Sequence, residues 1–261
     1  MSRIAYVNGA YLPLDKAQVS IQDRGFQFAD AVYEVWPVRA GQLLDAEGHF
    51  TRLRRSLGEL RIAAPIAEGA LRAVVRELMR RNRVSNGIVY LQISRGAAPR
   101  DHAFPDPAVK PTLVLTAKNL DRAAIEARMR TGVKVITVPE IRWGRCDIQC
   151  PNLRPNLLAR RAAREAGAFE AWFVDADGYV TEGTASNAWI VDAEGRLRTR
   201  ALSNQILHGV TRATLLAIAP ELQLQFAETH FTIAEAKAAR EAFVSSATSP
   251  AAPEIAMGGA Q

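Results

Sequence analysis

The sequence predicts a mixed fold of helices and strands, α+β or α/β, divided into two subdomains. Its 261 residues suit one large or two modest domains, because a domain takes roughly 100–200 residues. Hydrophobic residues make up 48% and charged residues 23% of the chain, as in an ordinary globular protein, so the chain can bury a substantial core. Strand patterns and helix patterns mix in both halves, which predicts the mixed class.

The first half begins with a predicted hairpin. Residues 4–12 contain an Asn8-Gly9 turn between two apolar runs, and Asn-Gly favours the tight turns of hairpins. Further strands are expected over 32–38, 87–94 and 111–117. Apolar residues at helical spacing predict helices over 49–62 and 66–82. We therefore expect an N-terminal α/β domain over residues 1–118, followed by an interdomain linker over 119–128.

The second half, residues 129–261, is predicted to form a second α/β domain. Strands are expected over 132–138, 188–191, 197–199, 222–227 and 242–246, and a hairpin with an Asp-Gly turn over 171–181. Helices are expected over 156–167, 210–218 and 233–240, the first of them ended by Gly167.

Charge and cysteine content argue against several classes of partner. The net charge is +6, but the basic residues are mostly arginines spread among acidic residues, which is typical of solvated helix faces and does not favour nucleic acid. Cys146 and Cys150 lack the second Cys or His pair of a zinc site, so we expect no metal. No apolar run approaches the ~18–20 residues of a membrane helix, and the N-terminus lacks a basic-then-apolar leader. We therefore expect a cytoplasmic protein with no membrane segment.

Four clusters of small or polar residues follow predicted strands or begin predicted helices. They span residues 49–52, 183–187, 208–212 and 245–249. Backbone N–H groups at a helix N-terminus favour an anion such as phosphate. Together with Arg52, these clusters suggest a phosphorylated cofactor. The sequence contains neither G-x-G-x-x-G nor G-x4-G-K-[ST], which argues against a nucleotide.

Four segments resemble signature motifs of the fold type IV pyridoxal-phosphate aminotransferases. They are residues 23–35 (DRGFQFADAVYEV), 142–148 (RWGRCDI), 181–187 (TEGTASN) and 209–212 (GVTR). Within this family the chain looks most like the D-amino-acid transaminases, because residues 94–102 (SRGAAPRDH) match the loop that carries their carboxylate trap. The resemblance implies a two-domain fold whose C-terminal domain is an α/β pseudo-barrel.

The same resemblance implies which residues bind pyridoxal 5'-phosphate. Arg52 would hold the phosphate, with His49 as its support. Glu182 would pair with the pyridine nitrogen and keep it protonated, so that the ring acts as an electron sink. The remaining matching positions are Ser186, Asn187, Val210, Thr211, Ser246, Ala247 and Thr248.

The resemblance also implies how an amino acid or 2-oxo acid would bind. Tyr33 would lie near the reacting centre. Arg100 and His102 would bind the substrate carboxylate, often from the partner subunit of a homodimer. An arginine suits this role because its planar fork matches a carboxylate with two hydrogen bonds.

One position departs from the family pattern. The family needs a lysine that forms a Schiff base with the cofactor and then moves the proton. This lysine belongs directly after the Arg-Cys-Asp-Ile segment, where the chain has Gln149, and none of its five lysines is an obvious replacement. An amide cannot form an imine, and general acid–base catalysis contributes typically about 10²–10⁴-fold. Transamination is therefore expected to be absent or very slow.

Three hypotheses remain open at this point. The leading one is a transaminase-like homodimer that binds the cofactor noncovalently. The second is a non-catalytic protein that binds an amino acid or a vitamin B6 form. The third is a diverted enzyme on the same scaffold, either a lyase or a cofactor-free enzyme using Cys150. The unusual neighbours Cys150, Pro151 and Arg154 favour natural divergence over a single engineered change.

Overall fold

Two compact units make up the protein. The computed structural model describes residues 3–259, and for residues 249–251 and 254–259 it describes the backbone alone. The first unit contains Met1–Asp121 and Ile148–Asn152, and the second contains Arg122–Asp147 and Leu153–Gln261. Both units combine helices with a sheet, which confirms the mixed fold class.

A six-stranded antiparallel sheet and three helices form the first unit. The strands are β1 (Ile4–Val7), β2 (Ala10–Pro13), β3 (Ala31–Arg39), β4 (Gln42–Leu43), β5 (Gly87–Ser94) and β6 (Thr112–Asn119). The helices are α1 (Arg24–Phe28), α2 (Ala46–Glu59) and α3 (Glu68–Asn82). The strand order is β2-β1-β6-β5-β3-β4. Asn8 and Gly9 both have positive φ, which confirms the tight turn predicted between β1 and β2.

Strand alternation divides β3 between two environments. Val32, Glu34 and Trp36 share one face and are fully buried. On this face the apolar residues of α2 and α3 pack against the sheet in one continuous core, which includes Phe50 and Leu78. Because Glu34 lies on the core face, its carboxylate must find partners inside the protein.

An eight-stranded sheet with four helices forms the second unit. The strands are β7 (Val133–Pro139), β8 (Glu170–Val174), β9 (Val180–Gly183), β10 (Asn187–Val191), β11 (Leu197–Thr199), β12 (Phe226–Glu228), β13 (Glu241–Ser246) and β14 (Ser249–Gly259). The helices are α4 (Arg122–Thr131), α5 (Arg154–Glu165), α6 (Val210–Ile218) and α7 (Ile233–Ala238). The order of strands is β12-β11-β10-β13-β14-β7-β8-β9. Trp172, Ile190 and Phe231 belong to its main core cluster.

The structure differs from the sequence predictions at several places, and α1, β4 and β14 have no counterpart among the predicted elements. Most of the stretch predicted as a linker, residues 119–128, lies in α4, because its run of Ala, Arg and Glu favours a helix. The strand predicted over 222–227 is confined to Phe226–Glu228. Residues 148–152 belong to the first unit, where Gln149 exchanges hydrogen bonds with Tyr33 and Ser56.

In the part of the chain that the structure describes, no helix is long and apolar enough to cross a membrane. The same residues contain no group of three or more His, Cys, Asp or Glu side chains that could hold a metal ion.

Gly87 is required by the close contact between β5 and β6. A Cβ atom there would lie 2.0 Å from the Lys118 carbonyl oxygen. We expect Gly87→Ala to lower the free energy of unfolding by about 1–3 kcal/mol, because the backbone must shift. Gly58 in α2 has open space around its Cα, so Gly58→Ala is the matched control. This substitution should raise the free energy of unfolding by about 0.5–1 kcal/mol, because alanine loses less backbone freedom than glycine when a helix forms. Urea denaturation measures both, and equal effects of the two substitutions would contradict this account.

Candidate functional site

A buried ion pair anchors Arg52 in the first unit. Arg52 donates from Nε to Glu34 Oε1 and from Nη2 to Glu34 Oε2, each at 2.8 Å. His49, one helical turn earlier on α2, has its Nδ1 2.7 Å from Glu34 Oε2. Since a carboxylate only accepts hydrogen bonds, His49 carries its proton on Nδ1. His49 therefore supports Arg52 through Glu34.

These contacts hold Glu34 in its ionised form. Burial acts to raise the pKa of Glu34, but the charge and hydrogen bonds of Arg52 and the hydrogen bond of His49 outweigh it. The pKa of Glu34 therefore lies below its usual range. Glu34 was not among the predicted site residues. A single charged residue among the apolar residues of a strand's core face nevertheless indicates a buried ion pair.

Tyr33 occupies the opposite face of β3. Its ring stacks on Tyr90 of β5, with ring centroids 5.9 Å apart, and the Tyr90 hydroxyl donates to Gln92 at 2.6 Å. Burial raises the pKa of Tyr33, and the positive charge of Arg52 only partly offsets this rise. Tyr33 therefore keeps its proton at neutral pH and can donate a hydrogen bond.

The position of Gln149 is defined by its backbone. Its carbonyl accepts a hydrogen bond from the Tyr33 N–H at 2.9 Å, and its N–H donates to the Ser56 hydroxyl at 3.3 Å. The residue is 8% exposed. Within the described chain, the side-chain amide of Gln149 makes no hydrogen bond. The following residue, Cys150, is also buried.

Arg100 and His102 lie together in the loop after β5. The guanidinium carbon of Arg100 is 5.2 Å from the centre of the Phe28 ring, and the His102 ring meets the same ring edge-on at 5.7 Å. The structure thus brings the two predicted carboxylate-binding residues onto one aromatic side chain.

Glu182 is the centre of a buried network in the second unit. It forms an ion pair with Arg142, accepts a hydrogen bond from Asn187 Nδ2 at 3.0 Å, and accepts the Leu207 N–H at 3.1 Å. Burial raises the pKa of Glu182, and the opposing effect of Arg142 does not fully offset it. Glu182 and Asn187, two of the predicted cofactor-binding residues, are therefore in direct contact.

Arg142 links Glu182 to a second carboxylate. Its Nη2 lies 2.6 Å from Glu140 Oε2, and Thr181 donates to the same Glu140 oxygen at 2.7 Å. Burial acts to raise the pKa of Glu140, but Arg142 lowers it below its usual range. Two carboxylates around one guanidinium leave one net negative charge, provided both are ionised. Arg142 belongs to one of the motifs identified in the sequence, but its pairing with both Glu140 and Glu182 was not predicted.

The remaining predicted cofactor residues lie in loops and at a helix end. Ser186 donates its hydroxyl to the buried Glu170 at 3.0 Å, so this hydroxyl has a partner within the fold. Val210 and Thr211 begin α6, whose N-cap, Gly209, has no side chain to satisfy the first N–H groups. A Cβ at Gly209 would lie 2.0 Å from Asn187 Oδ1, which explains the glycine.

A tight turn carries the last predicted group, Ser246, Ala247 and Thr248. Ala247 and Thr248 connect the antiparallel strands β13 and β14. The hydroxyls of Ser246 and Thr248 are 3.4 Å apart. The turn therefore places two hydroxyl groups side by side, and a hydroxyl can donate one hydrogen bond to an anion.

Comparison with solved structures identifies the fold. The chain superposes on the branched-chain amino acid aminotransferase of Escherichia coli with a TM-score of 0.90 at 19% identity, covering 98% of this chain and 87% of that one. It superposes on the PLP-bound form of a hypothetical aminotransferase from Mycobacterium tuberculosis with a TM-score of 0.83 at 22% identity, covering 97% and 90%. The fold is that of the fold type IV aminotransferases.

Sequence comparison then identifies the family. The family model for amino-transferase class IV matches residues 31–253. The D-alanine aminotransferase of Staphylococcus haemolyticus is 37% identical over 256 residues, covering 98% of this chain and 89% of that protein. The chain belongs to the class IV aminotransferase family, as its motifs indicated. The correspondence of Gln149 to the family's lysine stays a prediction.

The ion pair of Glu34 should make stability depend on acid pH. Because the pKa of Glu34 is lower in the folded than in the unfolded chain, its ionisation stabilises the fold above about pH 4.3, and this stabilisation is lost as the pH falls through the folded-state pKa. We expect Glu34→Gln to lower the free energy of unfolding at pH 7 by about 3 kcal/mol. The difference in the free energy of unfolding between Glu34→Gln and the unchanged protein should become smaller below pH 4.

Denaturant unfolding between pH 3 and pH 7 measures this effect. Glu77→Gln is the matched control, because Glu77 pairs with Arg80 and Arg81 at the surface, where solvent screens an ion pair and its contribution to stability is small. A constant difference between Glu34→Gln and the unchanged protein across this pH range would contradict the assignment.

Proposed function

We propose that the chain is a D-amino-acid-transaminase-like protein that binds pyridoxal phosphate noncovalently and transfers amino groups very slowly or not at all. The observation that supports this proposal is the buried network of Glu140, Arg142 and Glu182, which would serve as the ring-nitrogen site. The family resemblance assigns the lysine position to Gln149. The curated relatives at 35–38% identity are D-alanine aminotransferases, which supports the D-amino-acid class.

The network around Glu182 fits the ring nitrogen of the cofactor. Arg142 is shared between Glu140 and Glu182, so two buried carboxylates face one guanidinium. A protonated pyridine nitrogen beside Glu182 would add a second positive charge and favour the ionised form of that carboxyl. When bound, the cofactor would serve as an electron sink for the bonds at the substrate Cα.

Each unit, taken by itself, contains donors of the kind that bind phosphate. In the first unit Arg52 offers a guanidinium whose orientation is set by Glu34. The N-terminus of α6 offers the N–H groups of Val210 and Thr211, and the turn after β13 offers hydroxyls. These donors match the phosphorylated cofactor that the sequence suggested.

Proton transfer is where this chain departs from its relatives. Gln149 cannot gain or lose a proton near neutral pH, and Tyr33 has a raised pKa and keeps its proton. Neither residue can act as the base that a transaminase needs. A purely binding role, for an amino acid or a vitamin B6 form, is the second candidate, and the same observation favours it. Burial of the Cys150 thiol argues against a cofactor-free enzyme that uses it as a nucleophile.

Noncovalent binding can be tested with the unchanged protein. We expect pyridoxal phosphate to be bound with a free-aldehyde absorbance band, and borohydride reduction followed by peptide mapping to find no cofactor attached to residues 148–152. Gln149→Lys is the matched variant, and reduction should attach the cofactor at residue 149 and restore measurable transamination of D-alanine. Attachment of the cofactor to another lysine of the unchanged protein would refute the proposal, and a lack of any binding would refute it as well.

We also propose a homodimer, with a cytoplasmic location as expected from the sequence. Ile21 is 80% and Phe26 is 74% exposed, and both lie in the segment that bonds to the loop of Arg100 through Gln22 and Ala98. Two large apolar side chains this exposed in one short segment are the kind of feature that an interface would cover.

This interface predicts the effect of a polar substitution. Phe26→Ser should raise the dimer dissociation constant by roughly tenfold or more, because a large apolar side chain is lost from the contact. Light scattering during gel filtration measures the mass. Leu222→Ser, at a side chain that is also exposed, is the control. A monomeric unchanged protein, or an equal effect of both substitutions, would count against the assignment.

A further inference from the structure

The loop that carries Arg100 and His102 is held by contacts outside regular secondary structure. Residues 95–111 contain neither helix nor strand. Two contacts bind the start of this loop to the segment before α1, since the Arg24 N–H donates to the Gly96 carbonyl at 2.9 Å and the Ala98 N–H donates to the Gln22 carbonyl at 3.2 Å. The loop and α1 therefore form one local structure.

The side chain of Arg24 binds the backbone of Asp101 and His102. It is buried, with 3% exposure, and its Nη1 donates to the Asp101 carbonyl at 2.6 Å. Its Nη2 donates to the His102 carbonyl at 3.4 Å. Its Nε pairs with Asp30 at 2.8 Å, which holds the guanidinium in place. Arg24 thus fixes the backbone directly after Arg100.

Phe28 contacts the side chains of Arg100 and His102, whereas Arg24 binds the backbone of the same loop. The guanidinium carbon of Arg24 lies 4.9 Å from the centre of the Phe28 ring, and that of Arg100 lies 5.2 Å from it. His102 meets the ring edge-on. One aromatic ring therefore contacts three cationic or ionisable side chains. Such contacts favour a cation over the ring face.

Asp30 holds two arginines beside this loop. Asp30 is shared between Arg24 and Arg95, so two buried guanidinium groups face one carboxylate. Burial acts to raise the pKa of Asp30, but both arginines lower it below its usual range, and it stays ionised. Asp23 is bound by Gly25 and Ser94.

We propose that Arg24 and Phe28 are positioning residues that hold Arg100 and His102 in the orientation that captures the substrate carboxylate. This inference rests on the proposed function. The physical reason is preorganisation: a long side chain on an irregular loop loses rotamer freedom on binding, and contacts made beforehand reduce that loss. Arg24 and Phe28 would not touch the substrate.

The test compares a carboxylate with its neutral isostere. Propionate and propionamide are titrated into the full chain saturated with pyridoxal phosphate, and ligand-observed NMR gives both dissociation constants. We expect the unchanged protein to prefer propionate by roughly tenfold, as a charge-assisted pair requires. Arg24→Gln and Phe28→Leu should reduce this ratio to about threefold or less while leaving the affinity for pyridoxal phosphate unchanged.

Three variants separate positioning from general damage. Phe28→Tyr keeps the ring and should retain the propionate preference. Arg72→Gln is the matched control, because Arg72 also combines carboxylate partners with an aromatic ring, that of Phe50, in the same unit. It should leave the ratio unchanged. Arg100→Gln should abolish the preference.

Each result decides between the two proposals. A preference retained in both Arg24→Gln and Phe28→Leu, but lost in Arg100→Gln, overturns the positioning role and leaves the proposed function intact. A preference retained in Arg100→Gln, or absent from the unchanged protein, overturns the carboxylate site itself and this inference with it. If Arg24→Gln does not fold, the Phe28 pair of variants decides the question alone.

Discussion

The ion pair between Arg142 and Glu182 is the interaction on which the second unit's candidate site depends. A carboxylate removed from water is costly unless a partner of opposite charge and several hydrogen bonds surround it. Glu182 has all of these, and Glu140 and Thr181 hold Arg142 from the other side. The network is rigid because each polar group serves more than one neighbour. In the first unit Glu34 is likewise a buried carboxylate, and it is paired with Arg52 and His49.

Such networks explain the use of arginine in this chain. A guanidinium remains protonated when buried and offers donors in several directions, so that one side chain can join two carboxylates or a carboxylate and a backbone carbonyl. Arg24, Arg95 and Arg142 all do this. A lysine offers its three donors from a single nitrogen, so its acceptors would all have to converge on one point. The excess of arginine therefore serves internal structure as well as the surface.

Local patterns were sufficient to predict most of the elements. The Asn8-Gly9 turn, the apolar spacing in α2 and the Asp-Gly turn before β9 depend on neighbouring residues alone, and all three are present. The partners of Glu34 and Glu182 could not be predicted in this way, because Arg52 and Arg142 lie far along the chain. The role of Phe28 was missed for the same reason. Residue type and local motifs are enough to predict candidate site residues, but the three-dimensional fold is needed to show which of these residues are in contact.

The backbone around Gln149 has a consequence for how this chain can change over generations. Its main-chain hydrogen bonds to Tyr33 and Ser56 do not involve the side chain. Glutamine and lysine codons differ only in their first nucleotide, so one point mutation could exchange the amide for an amine without disturbing those bonds. The hydrogen bonds of this backbone therefore set no requirement on the side chain at residue 149, and they would hold an amine there as they hold the amide.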